Sequence, residues 1–127
     1  MRTVLLLVAL FVCQMLSAQE NIAGHPRLLL KAGEEARIKE MIAEDEAMAR
    51  VHGAILAECD EILDLPVLER VMEGKRLLHT SREALKRIFW LSYSYRMTGN
   101  EVYAERAVDE MLAVSAFSDW NPNHFLD

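Results

Sequence analysis

Residues 81–117 constrain the fold more than any other part of the chain, because their pattern predicts two helices joined by a tight turn. The turn is Thr98-Gly99-Asn100. Gly99 can adopt the left-handed conformation that ends a helix, and the Asn100 side chain can accept a hydrogen bond from the first turn of the next helix. Helices joined by so short a turn run antiparallel, so the stretch predicts an αα-hairpin against which the rest of the chain packs.

Apolar side chains recur at helical spacing on both arms of this hairpin. On the first arm, Thr80 and Glu83 form a Thr-x-x-Glu capping box. Two overlapping stripes follow and predict burial on more than one side; they are Leu85, Ile88, Phe89 and Ser92, and Ala84, Ile88, Leu91 and Tyr95. On the second arm one face is predicted to point inward: Ala104, Ala107, Val108, Met111 and Leu112. The acidic residues of that arm lie mostly off this face: Glu101, Glu105, Asp109 and Glu110.

Two more helical patterns precede the hairpin. The first spans residues 34–44, and the second spans about residues 45–63. Gly53 inside the second helix suggests a close contact with another helix. Residues 64–79 are irregular, with a turn signal at Glu73-Gly74. No strand pattern occurs elsewhere, so the predicted fold class is all-α, built from antiparallel helical hairpins.

Residues 1–18 form a predicted secretory signal peptide. Arg2 precedes an apolar run of 13 residues at positions 4–16, and Ala18 supplies a small residue for cleavage. A membrane span needs roughly 20 apolar residues, which disfavours the alternative of an uncleaved anchor. We therefore expect a periplasmic or secreted mature chain of residues 19–127, with no membrane association after cleavage.

Charge and cysteine content exclude several classes of function. The formal net charge is −6 at pH 7 and the basic residues form no run, so the sequence does not predict nucleic-acid binding. After removal of the leader, Cys59 is the only cysteine, and no internal disulfide can form. Because Cys59 lies on an apolar stripe, the sequence favours a small core residue over a reactive thiol.

No motif in the chain predicts catalysis, a cofactor or a metal site. The sequence contains no His-Glu-x-x-His, no glycine-rich phosphate loop and no nucleophile elbow. The four histidines stand far apart, at positions 25, 52, 79 and 124. The tyrosines at positions 93, 95 and 103 lie on predicted helices, where packing is favoured over a catalytic phenol.

The last nine residues differ in kind from the rest, since large aromatics alternate there with polar groups. Flat rings stack on pyranose faces, and amides and carboxylates bind hydroxyls. The candidate sugar-binding residues are therefore Trp120, Asn121, His124 and Asp127. The alternative is structural: Trp120 and Phe125 pack under a following helix, while Asn121 and Asp127 cap it. Because the sequence stops after an apolar pair, we expect this chain to be the truncated N-terminal part of a longer protein.

The order of residues in this tail resembles the N-terminal region of the heparinase II/III-like polysaccharide lyases, and further matching segments are spread over nearly all of the mature chain. They are His25-Pro26-Arg27-Leu28, Arg37-Ile38-Lys39, Arg76-Leu77-Leu78, Arg82-x-x-Leu85-x-Arg87-Ile88, Tyr95-Arg96-Met97-Thr98-Gly99-Asn100, Tyr103-Ala104-Glu105-Arg106-Ala107, Leu112-Ala113-Val114 and Asp119-Trp120-Asn121-Pro122-Asn123-His124-Phe125-Leu126-Asp127. The last segment is the most specific. The sequence departs from the family at Lys31-Ala32-Gly33, where a helix cap with an acidic residue is usual.

The resemblance implies an N-terminal incomplete α/α toroid followed by β-sandwich layers. It also implies cleavage of a uronate-containing polysaccharide, a glycosaminoglycan or alginate, by β-elimination. Residues 19–127 would then be the start of the toroid, and an acidic polysaccharide would be the partner of the full-length protein. The catalytic Asn, His and Tyr of the family belong to later toroid helices and a further His to the C-terminal sheets. No catalytic residue is therefore placed here, Asn121 and His124 included, and this portion alone is expected to be inactive.

A second hypothesis is a small exported helical scaffold that binds a protein partner. The spacing of Leu91, Tyr95 and Gly99 resembles a tetratricopeptide hairpin, but no second copy stands about 34 residues earlier. A partial toroid leaves one apolar face without its neighbour. On the lyase hypothesis we therefore expect partly uncovered side chains, with hydrophobic-dye binding or self-association of the isolated chain; they are Val108, Met111 and Leu112, or the outer side of Phe89.

Overall fold

The structure is a computed structural model and describes residues 24–26 and 28–124. Its four α-helices are α1 (Glu34–Glu44), α2 (Glu46–Asp64), α3 (Leu78–Thr98) and α4 (Glu101–Ser115). Helices hold 66% of the described residues, and no strand occurs among them. The all-α prediction is therefore confirmed. The predicted signal peptide, residues 1–18, and the candidate site residue Asp127 lie outside the described residues.

The predicted α3–α4 hairpin is confirmed, together with the residues that form its turn. Gly99 has a φ of 75° and donates its N–H to the Tyr95 carbonyl (2.7 Å). Asn100 caps α4, because its side-chain oxygen accepts from the Val102 N–H (3.3 Å). The left-handed conformation carries no Cβ penalty for glycine, so the helix can end there and the chain can reverse.

Helix α2 lies across one side of the hairpin and completes the core. Asp45 caps it by accepting from the Ala47 and Met48 N–H groups (2.7 and 3.2 Å). The core is formed where α2 meets both α3 and α4, by Cys59, Ile62, Leu91, Tyr103 and Ala107, with Ile55, Leu63 and Trp90 packed against them. Cys59 is wholly buried, as the sequence predicted.

The predicted capping box at Thr80 and Glu83 is wrong. Helix α3 begins at Leu78, so Thr80 lies inside its first turn. The Thr80 hydroxyl donates to the Val71 carbonyl (2.8 Å), and Glu83 binds Lys86 and Arg87 instead of capping. A backbone acceptor in the preceding segment, which sequence spacing cannot reveal, captures the hydroxyl that the motif assigns to a cap.

Burial of α3 on more than one side is also wrong for the described chain. Leu91 and Ala84 are buried, but Leu85 and Phe89 are 58% and 50% exposed. On α4 the buried face is Tyr103, Ala107, Glu110 and Val114, whereas Val108, Met111 and Leu112 lie exposed. The hairpin is thus covered by α2 on one side and uncovered on another. The prediction that Val108, Met111 and Leu112 point inward is therefore wrong, because Glu110 and Val114 lie on the buried face instead. The expectation that these three residues, or the outer side of Phe89, are partly uncovered is confirmed.

No described helix has both the length and the hydropathy that crossing a membrane requires.

The predicted close helix contact at Gly53 is wrong, because a Cβ added there would meet no atom within 4 Å. It is an exposed helical glycine without a close neighbour. The backbone freedom of Gly53 in the unfolded chain therefore destabilises α2, and no close packing offsets this effect.

We expect Gly53→Ala to stabilise the protein by about 0.5–1 kcal/mol, because alanine loses less backbone entropy in a helix. Gly99→Ala is the matched comparison and should destabilise by about 1–2 kcal/mol, since an alanine at φ 75° is strained. Urea unfolding followed by circular dichroism measures both. A loss of stability in Gly53→Ala would mean that α2 has a neighbour at this position.

Candidate functional site

The predicted site lies in the tail, and its position depends on the connector between α2 and α3, residues 65–77. The turn expected at Glu73-Gly74 is present: Glu73 and Arg76 exchange two backbone hydrogen bonds (2.9 and 3.1 Å). Gly74 has a φ of 63°, which suits this tight reversal. The connector carries no helix, so its backbone polar groups need partners from elsewhere in the fold.

A buried carboxylate on α4 supplies one of these partners. Glu110 is 0% exposed and accepts from the Leu68 N–H (3.0 Å). The same carboxylate accepts from Arg106 (2.8 and 3.1 Å) and from Arg87 of α3 (3.0 Å). One side chain therefore joins both arms of the hairpin to the connector.

The two arginines extend this network to the backbone. Arg87 donates to the Pro66 carbonyl (2.9 Å), and Arg106 donates to the Leu63 carbonyl (3.2 Å). Carbonyls at the end of a helix lack helical donors, and Arg106 provides one for Leu63, while Arg87 provides one for a carbonyl of the connector. The end of α2 and the start of the connector are held in this way against α3 and α4.

The network keeps Glu110 ionised. Burial alone would raise the pKa of Glu110, but the hydrogen bonds from Arg106, the Leu68 N–H and Arg87 outweigh it and hold the pKa below its ordinary value of 4.5. The sequence prediction placed Glu110 mostly off the inward face, which is wrong. Arginine four residues before Glu110 was the available signal, although the same spacing is common in exposed helical ion pairs.

The tail, residues 118–124, is anchored on the connector. Arg70 forms an ion pair with the Asp119 carboxylate (2.6 Å) and donates to the Asp119 carbonyl (3.0 Å). The Asn121 side-chain amide donates to the Lys75 carbonyl (3.0 Å). Asp119 also accepts from the Asn121 N–H (2.7 Å), and this bond and Arg70 lower the pKa of Asp119. The tail therefore has a fixed path rather than a free one.

The anchored path gives the predicted site residues different surroundings. Asn121 has a φ of 53°, and its side chain is engaged with Lys75, which gives it a structural role in the tail. The His124 N–H donates to the Asn121 carbonyl (3.0 Å), so the chain turns between them. Trp120 is 43% exposed, and its ring centroid lies 5.2 Å from that of Phe117. Trp120 is the predicted site residue that offers an open flat ring.

The ionised groups around the tail balance one another. The connector and the tail contribute three basic side chains, Arg70, Lys75 and Arg76, and three acidic ones, Glu69, Glu73 and Asp119. A polyanionic substrate favours a surface of positive potential. The described part of the tail region therefore offers an aromatic contact without a net attraction for polyanions.

The remaining titratable pairs hold helices together. The Tyr103 hydroxyl donates to the Asp60 carboxylate (2.6 Å), and this bond, with burial, raises the pKa of Tyr103 to about 12. The Tyr93 hydroxyl forms a hydrogen bond with the His52 ring (2.9 Å), and burial raises the pKa of Tyr93 as well. Neither phenol is tuned to exchange protons near neutral pH. Among the described residues, no group of three or more His, Cys, Asp and Glu side chains could hold a metal ion.

No protein-family model matches the sequence, and the comparison with curated proteins found no match. The resemblance to the polysaccharide lyases therefore stands on the motif residues themselves. In the structure, residues 119–124 of the most specific motif form a turn that Arg70 and Asn121 tie to the connector.

We expect Glu110→Gln to destabilise the protein by about 3 kcal/mol at pH 7, because it removes the carboxylate that pairs with Arg106 and one of the two that pair with Arg87. Glu105→Gln, an exposed position on the same helix, should not lower stability, because Glu105 stands four residues from both Glu101 and Asp109. Urea unfolding measures both. Equal small effects would show that the Glu110 network contributes little to folding.

The same network predicts a dependence on pH. Because the pKa of Glu110 is lower in the folded chain than its ordinary value of 4.5, the unfolded chain binds this proton more readily. The stabilisation is therefore present above pH 4.5 and is lost as the pH falls below it. Glu83, whose pKa is also lowered by Lys86 and Arg87 against the effect of burial, adds to this slope. The urea concentration at the unfolding midpoint should therefore fall less steeply between pH 7 and pH 3 in Glu110→Gln than in the wild-type protein.

Proposed function

We propose that this chain is the N-terminal helical portion of a secreted polysaccharide lyase. The whole protein would cleave a uronate-containing polysaccharide, a glycosaminoglycan or alginate, by β-elimination. One observation carries the proposal: residues 119–124 of the tail motif that resembles this family form an anchored turn and leave the Trp120 ring half open. An aromatic ring held on a fixed backbone is suited to stacking on a sugar face.

The architecture supports the same proposal. The described residues form an antiparallel helical hairpin with a third helix across one side. The other side exposes Leu85 and Phe89 of α3 and Val108 of α4. A member of a stack of hairpins buries such a face against its neighbour. We propose that this portion begins an incomplete α/α toroid.

In such a lyase this portion would position substrate rather than carry out the elimination. The reaction needs a base that removes the C5 proton of the uronate and an acid for the leaving oxygen. Tyr103 is unsuited to either role near neutral pH, because its hydroxyl is bound to Asp60 and its pKa is about 12. The residues of this chain would contribute the Trp120 contact and the network that fixes the tail.

A second function is supported by the uncovered face itself. A chain that exposes Leu112 at 65%, together with Phe89, has an apolar surface available for another protein. This favours the exported scaffold that binds a protein partner. The two functions differ in a simple measurement, since only the lyase forms an unsaturated sugar product.

The test begins with the native secreted protein, purified from its source and weighed intact. It is then incubated with alginate, chondroitin sulfate and heparan sulfate, and the ultraviolet absorbance of the unsaturated uronate is followed. The lyase proposal predicts a mass well above that of residues 19–127 and a product from at least one polymer. A native mass equal to that of residues 19–127, with no product from any polymer, would reject the lyase and favour the scaffold.

In the active protein, Trp120→Ala should raise KM about threefold to tenfold, as expected for the loss of one aromatic contact. The value of kcat should change little, because Trp120 is not placed among the reacting groups. Trp120→Phe keeps a flat ring and is the matched control, with a smaller rise in KM. Unchanged KM and unchanged stability in Trp120→Ala would remove the tail from the substrate-binding surface.

A further inference from the structure

An open groove of about 420 Å³ lies beside the N-terminal half of α4, far from the tail anchor. Its apolar lining comprises Tyr95 of α3 and Ala104 and Val108 of α4. Tyr95 and Val108 are 40% and 47% exposed. These residues lie side by side because the Gly99 turn brings the end of α3 against the start of α4.

The remaining lining of the groove is acidic and regularly spaced. It consists of Glu101, Glu105 and Asp109, which follow one another at intervals of four residues along α4. Residues four apart lie on one face of a helix, so the carboxylates form a row beside the apolar lining. The row runs for two helical turns.

This acidic row has no internal counter-charge. Within the described residues, no side chain forms a hydrogen bond or an ion pair with the carboxylate of Glu101, Glu105 or Asp109. The only basic residue of α4 is Arg106, and it is engaged with Glu110 on the buried face. Like charges four residues apart destabilise a helix, so the row is an unfavourable arrangement until cations approach it.

We propose that this groove docks a cationic amphipathic helix. Its apolar stripe would pack on Tyr95, Ala104 and Val108. Lysine or arginine residues at every fourth position along one flank of the stripe would face the acidic row. Two helices packed side by side bring such matching rows into register over several turns, as charged flanks do in paired helices. Apolar contact would supply most of the affinity, and the row would select the sign and spacing of the partner's charges.

Charge argues against a second copy of this chain as the occupant. The chain is acidic overall, with a net charge of −6. Two α4 helices packed face to face would place two acidic rows against each other, which costs free energy. The docking surface uses neither Trp120 nor the tail, and it shares Val108 alone with the residues that the toroid proposal assigns to the covered face.

The test uses the native secreted protein and a synthetic probe. The probe is a 15-residue amidated helical peptide of Leu, Ala and Lys, with the leucines in one stripe and the lysines on one flank at every fourth position. Binding is measured by isothermal titration at low and at physiological salt. We expect a saturable complex of one peptide per chain that weakens as salt rises, because its ion pairs are exposed.

Three variants locate the contact. The triple variant Glu101→Gln, Glu105→Gln, Asp109→Asn should weaken binding about tenfold, since three exposed ion pairs are lost. Val108→Asp should weaken binding by more than that. The matched control changes the same number of exposed carboxylates elsewhere, by Glu61→Gln, Asp64→Asn and Glu69→Gln, and should change binding less than twofold.

Several results would overturn the proposal. Equal weakening by the two triple variants would mean general attraction to an acidic protein. Equal affinity for a peptide with glutamate in place of lysine would remove the role of the row. A dimer of the chain that Val108→Asp dissociates would give this face to a second copy. Peptide-induced NMR shifts of the wild-type protein, which need no variant, must also fall on α4 and the end of α3, and shifts elsewhere would reject the site.

Discussion

The rest of the structure depends on the hydrogen bonds and ion pairs that the buried Glu110 carboxylate forms. Removing an ionised group from water is costly, and the cost is offset only when charged and neutral donors surround it. Arg87 of α3, Arg106 of α4 and the Leu68 N–H of the connector are these donors. The same contact therefore fixes the packing of the hairpin and the path of the segment that precedes it.

The position of the tail follows from this fixed connector. Because the connector is held at Pro66 and Leu68, its later residues can offer stable partners to the tail, namely the Arg70 side chain and the Lys75 carbonyl. Trp120 lies between Asp119, which accepts from Arg70, and Asn121, which donates to the Lys75 carbonyl. The backbone on either side of its half-open ring is thus held by polar contacts that lead back to the core, and this supports the proposed sugar contact.

The hairpin presents two surfaces of different character on opposite sides of its core. Helix α2 covers one side with apolar contacts. The other exposes Phe89 and Val108, and near the Gly99 turn it is bordered by the acidic row of α4. The next hairpin of a toroid and a cationic helix would both pack on the uncovered apolar side chains, whereas the surface around Trp120 is used by neither. The hairpin stack and the cationic helix therefore share Val108. The Trp120 variants test the lyase proposal without changing the docking surface, and the variants of Glu101, Glu105 and Asp109 test the docking proposal without changing the tail.

Features that depend on neighbours along the chain could be predicted from the sequence: four helices near their observed bounds, the Gly99 turn and the Asn100 cap. These follow from periodicity and from the backbone preferences of single residues. Two other features became visible in the folded chain: Thr80 bonds to Val71 instead of capping α3, and Glu110 faces inward. In both cases the deciding partner is remote in sequence, and a helical pattern cannot state which distant group will pair with a polar side chain or cover an apolar face.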